Sequence, residues 1–122
     1  TTAHCHSSLT DSSGTIKSVK VEQSLEKFAF LWFWNTEGGP WTRTVHSGVA
    51  QFDNYKVVSS GTYRVKSVFT VTTKDGRSET ITMYSNEVKV AEKHPLYRSS
   101  GKEGFSVPFF LTLRGNCDIL SL

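Results

Sequence analysis

Three groups of residues in this 122-residue chain are of types that do chemistry. His4-Cys5-His6 sets two imidazoles around a thiol, ligand types suited to zinc or copper. Closed metal sites draw ligands from at least two separated segments, and no second ligand pair accompanies the triplet. No bound metal is therefore expected, and His4, Cys5 and His6 stand only as candidates. Cys5 and Cys117 are the only cysteines. In a secreted domain an even count fits a bridge, and closing so long a loop is worth about 4 kcal/mol in chain entropy. The alternative is two thiols not bonded to one another. The third group is aromatic: Phe28, Phe30, Trp32, Phe33, Trp34 and Trp41. Exposed rings of this kind stack on sugars, with Asn35 or Glu37 to bind hydroxyls, whereas buried ones fill the core of a two-layer β-domain. Trp32 and Phe30 are expected in the core. Trp34, Asn35, Trp41 and Arg43 are the expected ligand contacts, with Trp41, beside Gly38-Gly39-Pro40, the best candidate for an exposed one.

Other chemistries lack their residues. The serines lie in turns without a Gly-x-Ser-x-Gly elbow, and no carboxylate pair stands out for glycoside hydrolysis. The histidines, at 4, 6, 46 and 94, have no evident acidic orienter. No Gly-rich loop precedes a helix to cradle phosphate. An enzyme is not expected, nor a cofactor. The 14 basic residues, against 11 acidic, give a net charge of +3 and are spread evenly, whereas nucleic-acid domains gather such charge on one face. The longest apolar run, Phe28 to Trp34, is seven residues, too short for a membrane-spanning helix. The chain opens on Thr-Thr-Ala without an initiator Met or an apolar signal core, so any targeting segment is expected to have been removed.

The elements that must position these residues are strands. Val, Ile, Thr, Tyr, Phe and Trp dominate, turn signals recur about every ten residues, and no long stretch has helical apolar spacing. A short strand around Ser7 to Thr10 is followed by a turn at Asp11 to Gly14 and a strand from Thr15 to Gln23, with a bulge near Lys17-Ser18. Phe28 to Trp34, apolar on both faces, reads as a central covered strand. Asn35 to Pro40 reads as a loop and Trp41 to His46 as a short partner. A strand follows from Val49 to Val58. The clearest strand carries Tyr63, Val65, Ser67, Phe69 and Val71 on one face. Asp75-Gly76 signals a hairpin, and the return strand, Ser78 to Val90, changes parity at Tyr84-Ser85-Asn86. Six or seven strands make an all-β antiparallel sandwich. Residues 1–93 form the domain. Residues 94–122, punctuated by Gly and Pro, read as a tail whose apolar patch can dock as an added edge strand.

Ser60-Gly61-Thr62-Tyr63-Arg64-Val65 resembles the signature that opens strand F of immunoglobulin domains. The resemblance implies an immunoglobulin-like sandwich of about seven strands, with Tyr63 as the corner residue and Val65 at the second cysteine's position. Val19 or Val21 would face Val65 from strand B, and Trp32 or Trp34 would be the core Trp of strand C. A disulfide between the sheets is missing from this pattern.

Over roughly residues 5 to 90 the chain also resembles small secreted proteins of Gram-positive bacteria, through Cys5, the Trp32 to Trp41 segment, Ser59 to Lys66 and Ser78 to Ser85. The tail is unmatched, and the second Cys that many members carry near strand B is absent. That likeness implies a fold and transfers no activity. The expectation is a non-enzymatic secreted or cell-surface module for partner binding or spacing, its partner a protein or glycan. A carbohydrate-binding module is the first alternative, and metal binding at the N-terminal triplet the second.

Overall fold

The computed structural model describes residues 1–91 and, beyond them, the backbone of Glu103–Val107 and Leu111–Leu120. Its strands are β1 (Thr2–Asp11), β2 (Ile16–Phe30), β3 (Phe33–Val45), β4 (Val49–Val57), β5 (Gly61–Thr73), β6 (Ser78–Tyr84), β7 (Val88–Val90), β8 (Glu103–Val107) and β9 (Leu111–Leu120). No helix occurs among the described residues.

Two antiparallel sheets form an all-β sandwich, one ordered β4-β1-β9-β8 and the other β3-β2-β5-β6, with β7 also pairing β5. In the second sheet β2 and β5 are the central neighbours, flanked by β3 and β6, and in the first β1 lies between β4 and β9. The segment after His94 thus supplies two strands, with β8 at the edge, while the stretch from 92 to 102 lies outside the described residues.

Alternation decides which side chains meet between the sheets. On β1, Ala3, Cys5, Ser7 and Leu9 are buried while His4, His6 and Ser8 face outward. On β5 the inward set is Tyr63, Val65, Ser67, Phe69 and Val71, the face that the sequence pattern assigns. The bulge near Lys17-Ser18 is present as a register shift between Ile16 and Ser18. The parity change near Tyr84 separates β6 from β7, and Ser85 anchors it by exchanging two hydrogen bonds with Val65, 2.7 and 2.9 Å.

Between the sheets lie two apolar clusters. One gathers Ala3, Cys5, Leu25, Val58, Tyr63, Val65 and Val88; the other gathers Leu9, Ile16, Val19, Val21, Ala50, Phe69, Val71 and Met83. A polar layer separates them. Gln23 Nε2 donates to Ser7 Oγ at 2.8 Å and to the Phe52 carbonyl at 3.2 Å, Ser7 and Ser67 hydroxyls lie 2.6 Å apart, and Asn54 Nδ2 donates to Gln23 Oε1 at 2.8 Å. Gln23, Ser7 and Ser67 are buried, and burial without such partners would cost about 1–3 kcal/mol per group.

Three sequence expectations are corrected here. Val19 and Val21 do not face Val65 across the sheets, because β2 and β5 are neighbours in one sheet, with Val19 beside Val71, Val21 beside Phe69 and Leu25 beside Val65. The opposite wall of the Val65 cluster comes from Ala3 and Cys5 of β1. Phe28 to Trp34 is not a central strand. It is the end of the β2–β3 hairpin, turning at Leu31-Trp32, and the Asn35 to Pro40 segment is part of β3.

Candidate functional site: the aromatic end of the β2–β3 hairpin

Phe28 pairs with Trp34 and Phe30 with Phe33, which leaves Leu31-Trp32 as a two-residue turn. Such turns need a positive φ at the first position, where Gly or Asn is the low-cost residue. Leu31 occupies it at φ 56°, and it is the only positive-φ residue other than glycine among those described. A bulky side chain in that region costs about 1–3 kcal/mol and persists only where the surroundings over-determine it.

The rings at this end face water. Trp32 is 74% exposed, Leu31 67%, Phe30 61%, Phe33 47% and Phe28 38%. They rest mainly on each other. Trp32 stacks beside Phe33 at 5.6 Å, Phe30 leans on Phe33 at 5.2 Å, and Phe28 meets Trp34 edge-on at 5.4 Å. Trp32 and Phe30 are therefore not core residues, and Trp32 is not the core Trp of a strand C. The physical reason is the turn, which carries both beyond the last residues the opposite sheet can cover.

Behind the rings the hairpin becomes polar on both strands at once, at Lys27 beside Asn35 and Glu26 beside Thr36. The outer face here holds an ordered stack. Arg64 Nε donates to Glu26 Oε1 at 2.8 Å, and its guanidinium lies 4.1 Å from the Trp34 ring and 4.2 Å from the Tyr84 ring. Lys27 runs its stem over Gly61, where a Cβ would come within 2.6 Å of Lys27 Cε. Beneath, fully buried Tyr63 donates its hydroxyl to the Ser59 carbonyl at 2.9 Å, tying the start of β5 to the chain just before it.

The four expected ligand contacts do not converge. Trp34 is half-buried on the outer face with Arg64, whereas Trp41 packs against the inner cluster, its ring tight against Gly38. Asn35 and Arg43 are exposed at separate points along β3. Trp41 is thus a partly covered wall of the core and not an exposed anchor. Missing from the sequence reading were Leu31 at the apex and Arg64 and Tyr84 at the base. The polarity about Leu31-Trp32, with apolar residues on both sides and Lys27 and Asn35 bounding them, is the signal that marks this segment as a hairpin.

The N-terminal triplet is divided by its own alternation. Cys5 points into the core, while the ring N–H groups of His4 and His6 donate to Asp53 Oδ1 at 2.8 and 2.7 Å and His4 stacks on Tyr55 at 4.7 Å. Burial pushes the Asp53 carboxyl up, but the hydrogen bonds from His6 and His4 outweigh it and hold the group below its usual range. Among the described residues no group of three His, Cys, Asp or Glu side chains is arranged to hold a metal ion. The register sets Cys117 opposite Cys5, and the Cys117 side chain lies outside the described residues.

Compared with protein-family models, curated proteins and solved structures, the chain matches none.

Proposed function

We propose that this chain is a non-enzymatic, immunoglobulin-like binding module of a secreted or cell-surface protein, and that its contact is the aromatic end of the β2–β3 hairpin. One observation carries the reading: five consecutive or paired apolar side chains, Phe28, Phe30, Leu31, Trp32 and Phe33, stand exposed together at one end of the molecule. Folded monomers seldom leave so concentrated an apolar patch in water unless it meets something. A spacer would have no use for it. The rigid sandwich behind the patch supports binding, since loops and turns on a fixed scaffold are where contacts are usually made.

A sugar platform built on Trp34 is less favoured, because Arg64 already lies over that ring and Phe28 closes its edge. The test sediments the labelled chain with purified cell-wall polymer and with membranes, and screens it on a glycan array, beside a Phe30→Ser/Trp32→Ser variant. Retention by one of these, falling about tenfold or more in the variant at an unchanged melting temperature, is the expected result for exposed anchors. Equal retention of parent and variant on every target overturns the reading.

A further inference from the structure

We propose that the partner of the hairpin end is the lipid–water interface of a bilayer, entered shallowly by Phe30, Leu31, Trp32 and Phe33. This rests on the reading of the end as the contact site. Its first support is the direction of the apolar boundary. A strand that packs on another protein surface shows polarity by face, alternating residue by residue. Here polarity changes along the hairpin instead: from Phe28 to Trp34 every side chain is apolar, on both faces of both strands, and behind them stand Lys27 and Asn35. The dividing plane lies across the hairpin axis, as a flat interface requires.

Depth is the second support. Leu31 lies three residue steps from the Phe28–Trp34 pair, about 10 Å at strand rise, which matches the boundary between headgroups and acyl chains. The Phe28–Trp34 and Phe30–Phe33 pairs satisfy backbone groups within the hairpin, so few need water where it enters. Trp is the residue that favours this zone, its ring apolar and its indole N–H able to reach headgroups.

The rim is the third. Lys27, whose stem crosses Gly61, and Arg64, held by Glu26 and two rings, sit just behind the boundary, at the level of lipid phosphates. The fourth is Leu31 itself. Gly would close this turn at less cost, yet the position carries the side chain that an apolar medium would take up. Among the described residues no helix is long and apolar enough to cross a membrane. The contact inferred is therefore insertion of a tip from one side.

The experiment uses the full chain carrying Trp34→Phe and Trp41→Phe, so that Trp32 alone fluoresces. Vesicles of phosphatidylcholine, alone and with one quarter phosphatidylglycerol, are added and both co-sedimentation and emission are followed. The expected result is binding to both vesicle types, tighter to the anionic one, with a blue-shifted Trp32 quenched more by bromine high on the acyl chain than deep within it. In a second pair of proteins, Leu31→Ser and Phe30→Ser weaken partitioning about tenfold or more while circular dichroism and melting temperature hold.

Failure to bind either vesicle, or a Trp32 emission that stays water-like, overturns the lipid assignment. If cell-wall polymer or a glycan then retains the chain through the same residues, the contact reading survives without it. Binding only to anionic vesicles, abolished by salt and indifferent to Leu31→Ser, also overturns it, since that is adsorption by charge. So does a dimer in solution that Trp32→Ser dissolves, because the end would then be covered by a second copy.

Discussion

The same sheet ends in two tight turns of opposite character. At one end the β5–β6 connection, Lys74-Asp75-Gly76, follows every rule for a turn in water. Gly76 takes φ 91° with open space around it, Asp75 accepts from the Thr73 hydroxyl and the Arg77 amide, and all side chains are polar. At the other end the β2–β3 turn places Leu at positive φ, Trp beside it, and no polar side chain from Phe28 to Trp34. Stability alone explains the first turn. The second departs from local preference in the direction of exposed apolar surface, and such departures concentrate where proteins do something else.

The sharpest way to test that contrast is to impose the unfavourable residue on the compliant turn. Gly76→Val puts a β-branched side chain at positive φ and should destabilise the domain by about 2 kcal/mol, read from urea unfolding. Tyr63→Phe removes the hydroxyl bond to Ser59 beneath the aromatic end and should cost about 1 kcal/mol, seen as a lower melting temperature. Leu31→Gly should act with the opposite sign, raising stability by about 0.5–1 kcal/mol in the same unfolding assay as it relieves the turn. A loss of stability there would mean that Leu31 packs as a structural residue, and the contrast between the turns would dissolve. Trp32→Ser should shift stability by no more than about 0.5 kcal/mol, as for an exposed side chain.

Acid separates the ends by a smaller effect. The Thr73 hydroxyl bond, followed by the Arg77 backbone amide, lowers the Asp75 pKa from its ordinary 3.8. A depressed carboxylate stabilises the fold above its unfolded value, and that contribution is lost as pH falls through the folded one. Asp75→Asn should therefore flatten the decline in melting temperature below pH 3.8. Substitutions from Phe28 to Trp34 should leave that decline unchanged, since none of these side chains titrates.

Where structure is local, the sequence is readable. Alternation from Tyr63 to Val71 identifies the inward face of β5, Asp75-Gly76 marks its turn, and the parity changes at Lys17-Ser18 and Tyr84-Asn86 mark irregularities that the register contains. The contact end is misread for a physical reason: a covered strand and an apolar hairpin end share one composition, and the usual turn residues are absent from Leu31-Trp32. The pairing of β2 with β5, and of β1 with β9, joins residues far apart in the chain. No short-range pattern reports such pairings, which is why the sequence points to Val19 across the core from Val65, whereas Val19 lies in the same sheet, opposite Val71.

The position of β9 has a consequence in time. Thr2 pairs with Leu120 and Asp11 with Leu111, so β1 is completed by a strand that is made far later in the chain. Hairpins such as β2–β3 and β5–β6 can close in microseconds as soon as their two arms are out. The β1–β9 pairing must wait until β9 has been made and then close a loop that holds every strand between the two. Until that moment β1 offers an open edge to any neighbouring chain. A strand placed this way stays half-paired while everything between it and its partner is made, and its sheet is sealed by a late arrival.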